Sequence, residues 1–244
     1  MIERLLAKLR CYDKVSEEEE QVLRAAAGDT LKFRRGETLV RARTELSAST
    51  LLVDGLIHSY KDLDDGSRQT VQLAVPGDFI DLHSFVMKEV DHNLAALSDC
   101  RVVKFPHARI IEITRNHDHL TRLLWLSTVI DGAIERETIT SLGLRSAVSR
   151  LAHLFCEVQV RLETVGIASP PTDQRCSYDL HANQEELSDI LGMTPVHMNR
   201  MLRELRQREL LTFKGHLVEI SNWAGLVALA EFDPFYLGLR RRPR

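Results

Sequence analysis

The chain has no run of about 18 consecutive apolar residues, so it contains no candidate membrane-spanning helix. Its first residues, MIERLLAKLR, are charged and amphipathic where a secretory signal needs an apolar stretch, and a cytoplasmic location is expected. Cysteine is scarce. Cys11, Cys100, Cys156 and Cys176 lie far apart, with no C-x-x-C pair and no Cys/His set at zinc spacing. Neither a disulfide nor a metal site is expected, and the thiols read as buried or free. Charge of one sign is also missing: a net charge of −3 excludes a protein that coats nucleic acid with its whole surface. No G-x-S-x-G, H-E-x-x-H or G-x-x-x-x-G-K motif occurs, so nothing points to an enzyme.

What is present is enough core material for one large domain or two ordinary ones, with 44% hydrophobic residues in 244. The charges are unevenly placed. Residues 1–141 carry 19 Lys+Arg against 23 Asp+Glu, and residues 142–244 carry 13 against 12. Within the second part Arg200, Arg203, Arg206 and Arg208 cluster, and the chain ends Arg240-Arg241-Arg242-Pro243-Arg244. A local basic surface is therefore compatible with a mildly acidic whole.

Residues 2–10 and 16–27 read as helices, the second opened by a Ser cap and four acids that suit the positive end of the helix dipole. From about residue 30 the period changes to two. Segments TLLV (50–53), LIHSY (56–60), TVQLAV (70–75) and RVVKF (101–105) are bounded by Arg35-Gly36, Asp54-Gly55, Asp65-Gly66 and Pro76-Gly77 turns, which predicts an antiparallel roll. After Pro106 the helical period returns as one long helix over 109–141. Leu120, Leu123, Ser127, Ile130 and Ile134 recur at three and four as a heptad-like seam for a twin helix, which predicts a homodimer. The alternative packs both apolar faces of that helix on its own domain. Residues 144–163 form another amphipathic helix, and 164–179 reads as a surface connection.

In HANQEELSDILGMTPVHMNRMLRELRQRELLTFKG (181–215), Asn183 and Glu186 form a capping box and Gly192 ends the helix. Thr194 then caps a second helix that starts at Pro195, so the two make a helix-turn-helix. Met198, Met201, Leu202 and Leu205 point inward at helical spacing, which leaves His197, Asn199, Arg200, Arg203 and Arg206 outside. Amide, imidazole and guanidinium groups on one exposed face can read base edges in a major groove. A hairpin about Lys214-Gly215 follows, with Lys214 and His216 at a tip able to touch phosphates.

A roll, a long helix and a winged helix in this order resemble the Crp/Fnr family of bacterial transcription regulators. The resemblance spans nearly the whole chain. It rests on Gly36-Glu37-Thr38-Leu39, Gly55, Gly66 and PGDFI (76–80) in the roll, and on QEELSDILGMTPVHMNRMLRELRQRELL (184–211). The fold class it implies is α+β, with a cyclic-nucleotide-binding-like β-roll over 1–107 and a dimerisation helix over 108–142. A winged helix-turn-helix over 143–230 and a basic tail over 231–244 complete the chain. The resemblance also implies a homodimer on a palindromic promoter site, with recognition helices about 34 Å apart, and RNA polymerase as a further partner. Carried over by position, the base readers are Pro195, Val196, Asn199 and Arg200. Arg200 matches the family, whereas Val196 stands where glutamate is common and suits a thymine methyl better than a cytosine amino group.

The resemblance places the effector pocket at Asp81, Leu82, His83, His92 and Asn93. Members that bind cyclic AMP carry G-E-L and Arg-Ser segments, where this chain reads Asp81-Leu82-His83 and Val90-Asp91-His92-Asn93. Asp81 and Asp91 with no arginine would repel a phosphodiester, so a signal other than cyclic AMP is expected. Cys11 alone near the amino terminus does not supply an iron–sulfur cluster. His58, His83, His92, His107, His117 and His119 are the residues through which haem would bind, and haem is not expected. Cys100 reads as core, and Cys176 as an exposed loop thiol open to oxidation. A scaffold or ligand-binding protein on the same roll is the competing reading; it has no use for an arginine-bearing second helix. The basic tail is a free DNA-binding arm or a solubilising end.

Overall fold

The computed structural model describes residues 1–244. Two helices open the chain, α1 (Glu3–Tyr12) and α2 (Glu17–Ala26), the latter held by the reciprocal Ser16/Glu19 capping box. Seven antiparallel strands follow. These are β1 (Thr30–Phe33), β2 (Thr38–Val40), β3 (Ala48–Asp54), β4 (Ile57–Asp62), β5 (Arg68–Ala74), β6 (Asn93–Ala96) and β7 (Cys100–Pro106). They form two sheets ordered β1-β7-β3 and β2-β6-β4-β5, with the one-turn helix α3 (Ser84–Met87) between β5 and β6. The β3–β4 turn needs Gly55: its φ is +86°, and a Cβ there would stand 2.4 Å from the Asp99 carbonyl. Leu52, Ile57, Leu94 and Val102 fill the space between the sheets.

The helical segment after the roll is two helices, α4 (His107–Asn116) and α5 (Asp118–Leu144), because His117 at φ −136° and ψ 81° leaves helical geometry. The continuous helix expected over 109–141 is corrected accordingly. The second domain begins with α6 (Ala147–Thr164) and continues through β8 (Cys176–Asp179), α7 (Gln184–Leu191), α8 (Pro195–Gln207), β9 (Leu211–Lys214) and β10 (Leu217–Ile220). It ends with α9 (Trp223–Ala230) and a 3₁₀ turn over Pro234–Leu237. One apolar cluster runs from Leu5 and Leu9 through Phe105, Leu123 and Ile134 to Phe155, Met198 and Leu226, so roll and winged helix share a core instead of hanging on a linker.

The seam assigned to Leu120, Leu123, Ser127, Ile130 and Ile134 is buried within the single chain. Its period identified one face of α5 correctly, but the roll, α6 and the carboxyl-terminal turn cover that face; Ile130, for example, lies beneath Gly238. The apolar residues that α5 leaves outside are Trp125, Val129, Ile139 and Leu144, with Trp125 and Ile139 each 69% exposed. The tail is not a free arm. Leu237 is buried, the Arg242 amide donates to the Tyr12 carbonyl at 3.0 Å, and the Arg244 amide donates to the Asp13 carboxylate at 2.5 Å.

Candidate nucleic-acid interface

Local chemistry sets the angle of the helix-turn-helix. Asn183 Oδ1 accepts from the Glu186 amide at 3.0 Å and Glu186 Oε2 accepts from the Asn183 amide at 2.6 Å. Gly192 closes α7 in the left-handed conformation at φ +60°, and Thr194 Oγ1 accepts from the His197 amide at 3.2 Å with Pro195 in the first helical position. Each end of the turn is therefore saturated by its own residues.

Met198, Met201, Leu202 and Leu205 are buried and hold α8 on its domain. Pro195, Val196, Asn199, Arg200, Arg203 and Arg206 are exposed, Val196 to 81%, while Thr194 is spent on the cap and His197 is half-buried. Asn199 Nδ2 donates to the Pro195 carbonyl at 3.1 Å, which leaves its Oδ1 outward as an acceptor. Of the four arginines here, only Arg208 forms an ion pair, with Glu204. Arg200, Arg203 and Arg206 thus present free guanidinium groups along one face.

Lys214 is exposed at the tip of the β9–β10 hairpin, whose turn is made by Gly215 at φ +63°. His216 is occupied: its Nδ1 meets the Ala182 carbonyl at 3.1 Å and ties the hairpin to the start of α7. The segment expected as a plain connection over 164–179 contributes β8, which pairs with β10 and makes the wing three-stranded. Four residues with one buried side chain, Tyr178, gave too short a period to be read. The first helix of the motif also rests on the roll: Arg35 pairs with Glu186 and donates to the His181 carbonyl at 3.0 Å.

The five residues assigned to an effector pocket do not share one site. Asp81 is fully buried and accepts from the Thr50 amide and, at 2.7 Å, from the Thr50 hydroxyl; burial pushes its carboxyl up to about 6. Leu82 belongs to the core, and Asn93 Oδ1 accepts from the Ala42 amide at 3.0 Å. Only His83 and His92 line a cavity, of about 420 Å³, between β4, β5 and α5. Asp91 lines it too, paired with Lys61 at 2.7 Å, and α5 adds Asp131 and Glu135. The acids facing that space are therefore Asp91, Asp131 and Glu135, with no arginine among the lining residues.

The remaining candidate haem histidines lie elsewhere. His58 Nδ1 is 3.1 Å from the Thr70 hydroxyl, His107 Nε2 is 3.3 Å from the Ser49 hydroxyl, and His119 sits between Asp13 and Glu19. Cys176 is half-buried in β8, and burial raises its thiol to about 11, as it does for Cys100. The exposed oxidisable thiol expected there is corrected: neither position favours thiolate.

Two family models cover most of the chain. A cyclic nucleotide-binding domain matches residues 30–117 and a Crp-like helix-turn-helix domain matches residues 149–229. Similar curated proteins include the nitrogen fixation regulation protein FixK of Bradyrhizobium diazoefficiens, 25% identical over 83% of this chain and 82% of its own. The transcriptional activator protein FnrL of Cereibacter sphaeroides is 22% identical over 82% and 80%. Among solved structures, FixK2 from Bradyrhizobium japonicum superposes with a TM-score of 0.73 at 22% identity, covering 83% of this chain and 96% of that one. With a cyclic-nucleotide-binding-like roll, a long helix and a winged helix-turn-helix in one chain, the protein belongs to the Crp/Fnr family of transcription regulators.

Proposed function

We propose that this regulator binds a roughly palindromic promoter site as a homodimer, reads it with α8, and responds to a signal other than cyclic AMP. The observation that carries the reading is the outward face of α8: Val196, Asn199, Arg200, Arg203 and Arg206 are exposed on a helix fixed by caps at both ends of its turn. Arg200 and Asn199 act on base edges, Arg203, Arg206 and Lys214 on the phosphate backbone, and Val196 against a thymine methyl. Dimerisation through Trp125, Val129 and Ile139 is supported by their exposure on one side of α5, where Trp125, Gly132 and Ile139 recur at seven. RNA polymerase is the further partner of an activator built this way. The cavity beside β4 argues against a phosphodiester, since no arginine lines it and its one lysine, Lys61, is already paired with Asp91.

The test is selection of bound duplexes from a random pool, followed by titration of the selected site. Arg200→Ala should weaken specific binding by about 1–3 kcal/mol, and Arg206→Ala should weaken all sequences alike and lower the salt slope by about one. Val196→Glu should change the selected half-site. Operator affinity unchanged in Arg200→Ala would sink the assignment and favour a non-regulatory scaffold.

A further inference from the structure

The cavity between β4, β5 and α5 holds two side chains that the fold leaves unfinished. His83 Nε2 and His92 Nε2 are both buried without a hydrogen-bond partner, and His92 is only 8% exposed. Their ring centroids stand 5.3 Å apart. A buried imidazole nitrogen without a partner gives up its hydration and gets nothing in return, so two of them facing one space mark a position for a third body.

The chemistry around His92 narrows that body. Its Nδ1 lies 2.9 Å from Asp91 Oδ1, and Asp91 is fixed from its other oxygen by Lys61 at 2.7 Å. A carboxylate that accepts from Nδ1–H sets the tautomer with a lone pair on Nε2, which is how metal-binding histidines are oriented. Ligand atoms of His83, Asp91 and His92 already lie within 4.8 Å of one another. Nitrogens bound at about 2.0–2.1 Å to a tetrahedral ion stand ~3.3 Å apart, so the two rings would turn toward one another on binding. Across the same cavity α5 offers the Glu135 carboxylate. Imidazole with one carboxylate and no thiolate suits zinc, nickel, cobalt or copper, and not magnesium or calcium.

We propose that this cavity binds one divalent transition-metal ion through His83 Nε2 and His92 Nε2, with Asp91 orienting His92 and Glu135 completing the set from α5. The ion joins the segment between β5 and β6 to α5, the helix that also carries the exposed Trp125. Metal binding itself stands apart from the DNA-binding reading; an effect of metal on operator affinity rests on that reading.

The test is titration of the full chain with Zn²⁺ against a chromophoric chelator, with Co²⁺ absorption as the report on ligand geometry. One ion per chain is expected, weakened at least tenfold in His83→Ala and His92→Ala and less in Glu135→Gln. His83 is partly exposed, so His83→Ala tests the site without emptying the core, and circular dichroism of the metal-free variant should match the parent. Zn²⁺ should raise Tm in the parent and not in His83→Ala, because an ion that binds only the folded state stabilises by mass action. Equal Zn²⁺ affinity in the parent and both histidine variants overturns the site. So does a haem Soret band that depends on His83 in a protein that fails to hold Zn²⁺. Operator titration with and without Zn²⁺ is read separately: a DNA-binding failure with intact Zn²⁺ binding counts against the regulator reading and leaves the metal site standing.

Discussion

Arg161 of α6 reaches Asp78 of the roll at 2.6 Å, with both side chains almost fully buried. Lys8 of α1 approaches the other Asp78 oxygen at 2.7 Å, and Glu157 receives Arg161 at 2.9 Å and the Tyr236 hydroxyl at 2.7 Å. Burial alone would raise the Asp78 carboxyl, but Lys8 and Arg161 hold it below the usual carboxylate range. The turn Pro76-Gly77-Asp78 is thus where the roll, the amino-terminal helix and the DNA-binding domain meet on one charge, with the tail joined to it through Glu157.

Removing that charge strands the buried Lys8 ammonium and leaves Arg161 with Glu157 alone. Asp78→Ala should therefore destabilise the protein by about 3–5 kcal/mol, read as a lower urea midpoint, and should loosen the docking of α6 on the roll. A loss under about 1 kcal/mol would mean that water reaches Lys8 and Arg161 in the folded chain.

Little of this network was legible in the sequence, because its members lie 70 and 83 residues apart. Features governed by neighbours were legible. The Asn183/Glu186 box, Gly192 and the Thr194-Pro195 start are each fixed within four residues, and all three fold as expected. The seam on α5 shows the limit of periodicity. Leu120, Leu123, Ser127, Ile130 and Ile134 do share a face, but spacing says nothing of which body covers it, and here the chain's own roll and tail do. His83 and His92 were separable as pocket residues, whereas their unpaired nitrogens appear only once the β5–β6 connection folds back.

The two faces of α5 predict opposite phenotypes. Trp125→Asp, on the exposed side, should shift sedimentation from dimer to monomer while the thermal transition of each chain persists. Ile130→Ala, in the core, should cost about 2–5 kcal/mol of stability whatever the oligomeric state. Loss of dimer in Ile130→Ala with full stability, and none in Trp125→Asp, would restore the buried face as the interface.

His58 makes stability depend on pH. It is buried beside Thr70, and burial first, then the nearby Arg68 charge, lowers its pKa to about 4. An unfolded histidine titrates near ~6.5, so between ~6.5 and ~4 the unfolded chain binds the extra proton and stability rises with pH. Acidification through that window should remove on the order of 2–3 kcal/mol, measured as urea midpoints from pH 7 to pH 4. In His58→Gln that part of the slope should vanish; an unchanged slope would assign the proton uptake to another group.

The tail separates packing from charge. Leu237 is buried and Leu239 packs on the core, so truncation after Tyr236 should destabilise the chain by at least ~1.5–3 kcal/mol, and any loss of DNA binding in that variant would be ambiguous. Truncation after Leu239 removes Arg240, Arg241, Arg242 and Arg244 and keeps both leucines. The backbone of that last stretch is tied to Tyr12 and Asp13 at the end of α1, and neither residue belongs to α8 or the β9–β10 hairpin. The salt slope of operator binding should therefore be the same with and without residues 240–244. A slope smaller by one or more in the shortened chain would place those arginines on phosphates and make the tail a DNA-binding arm.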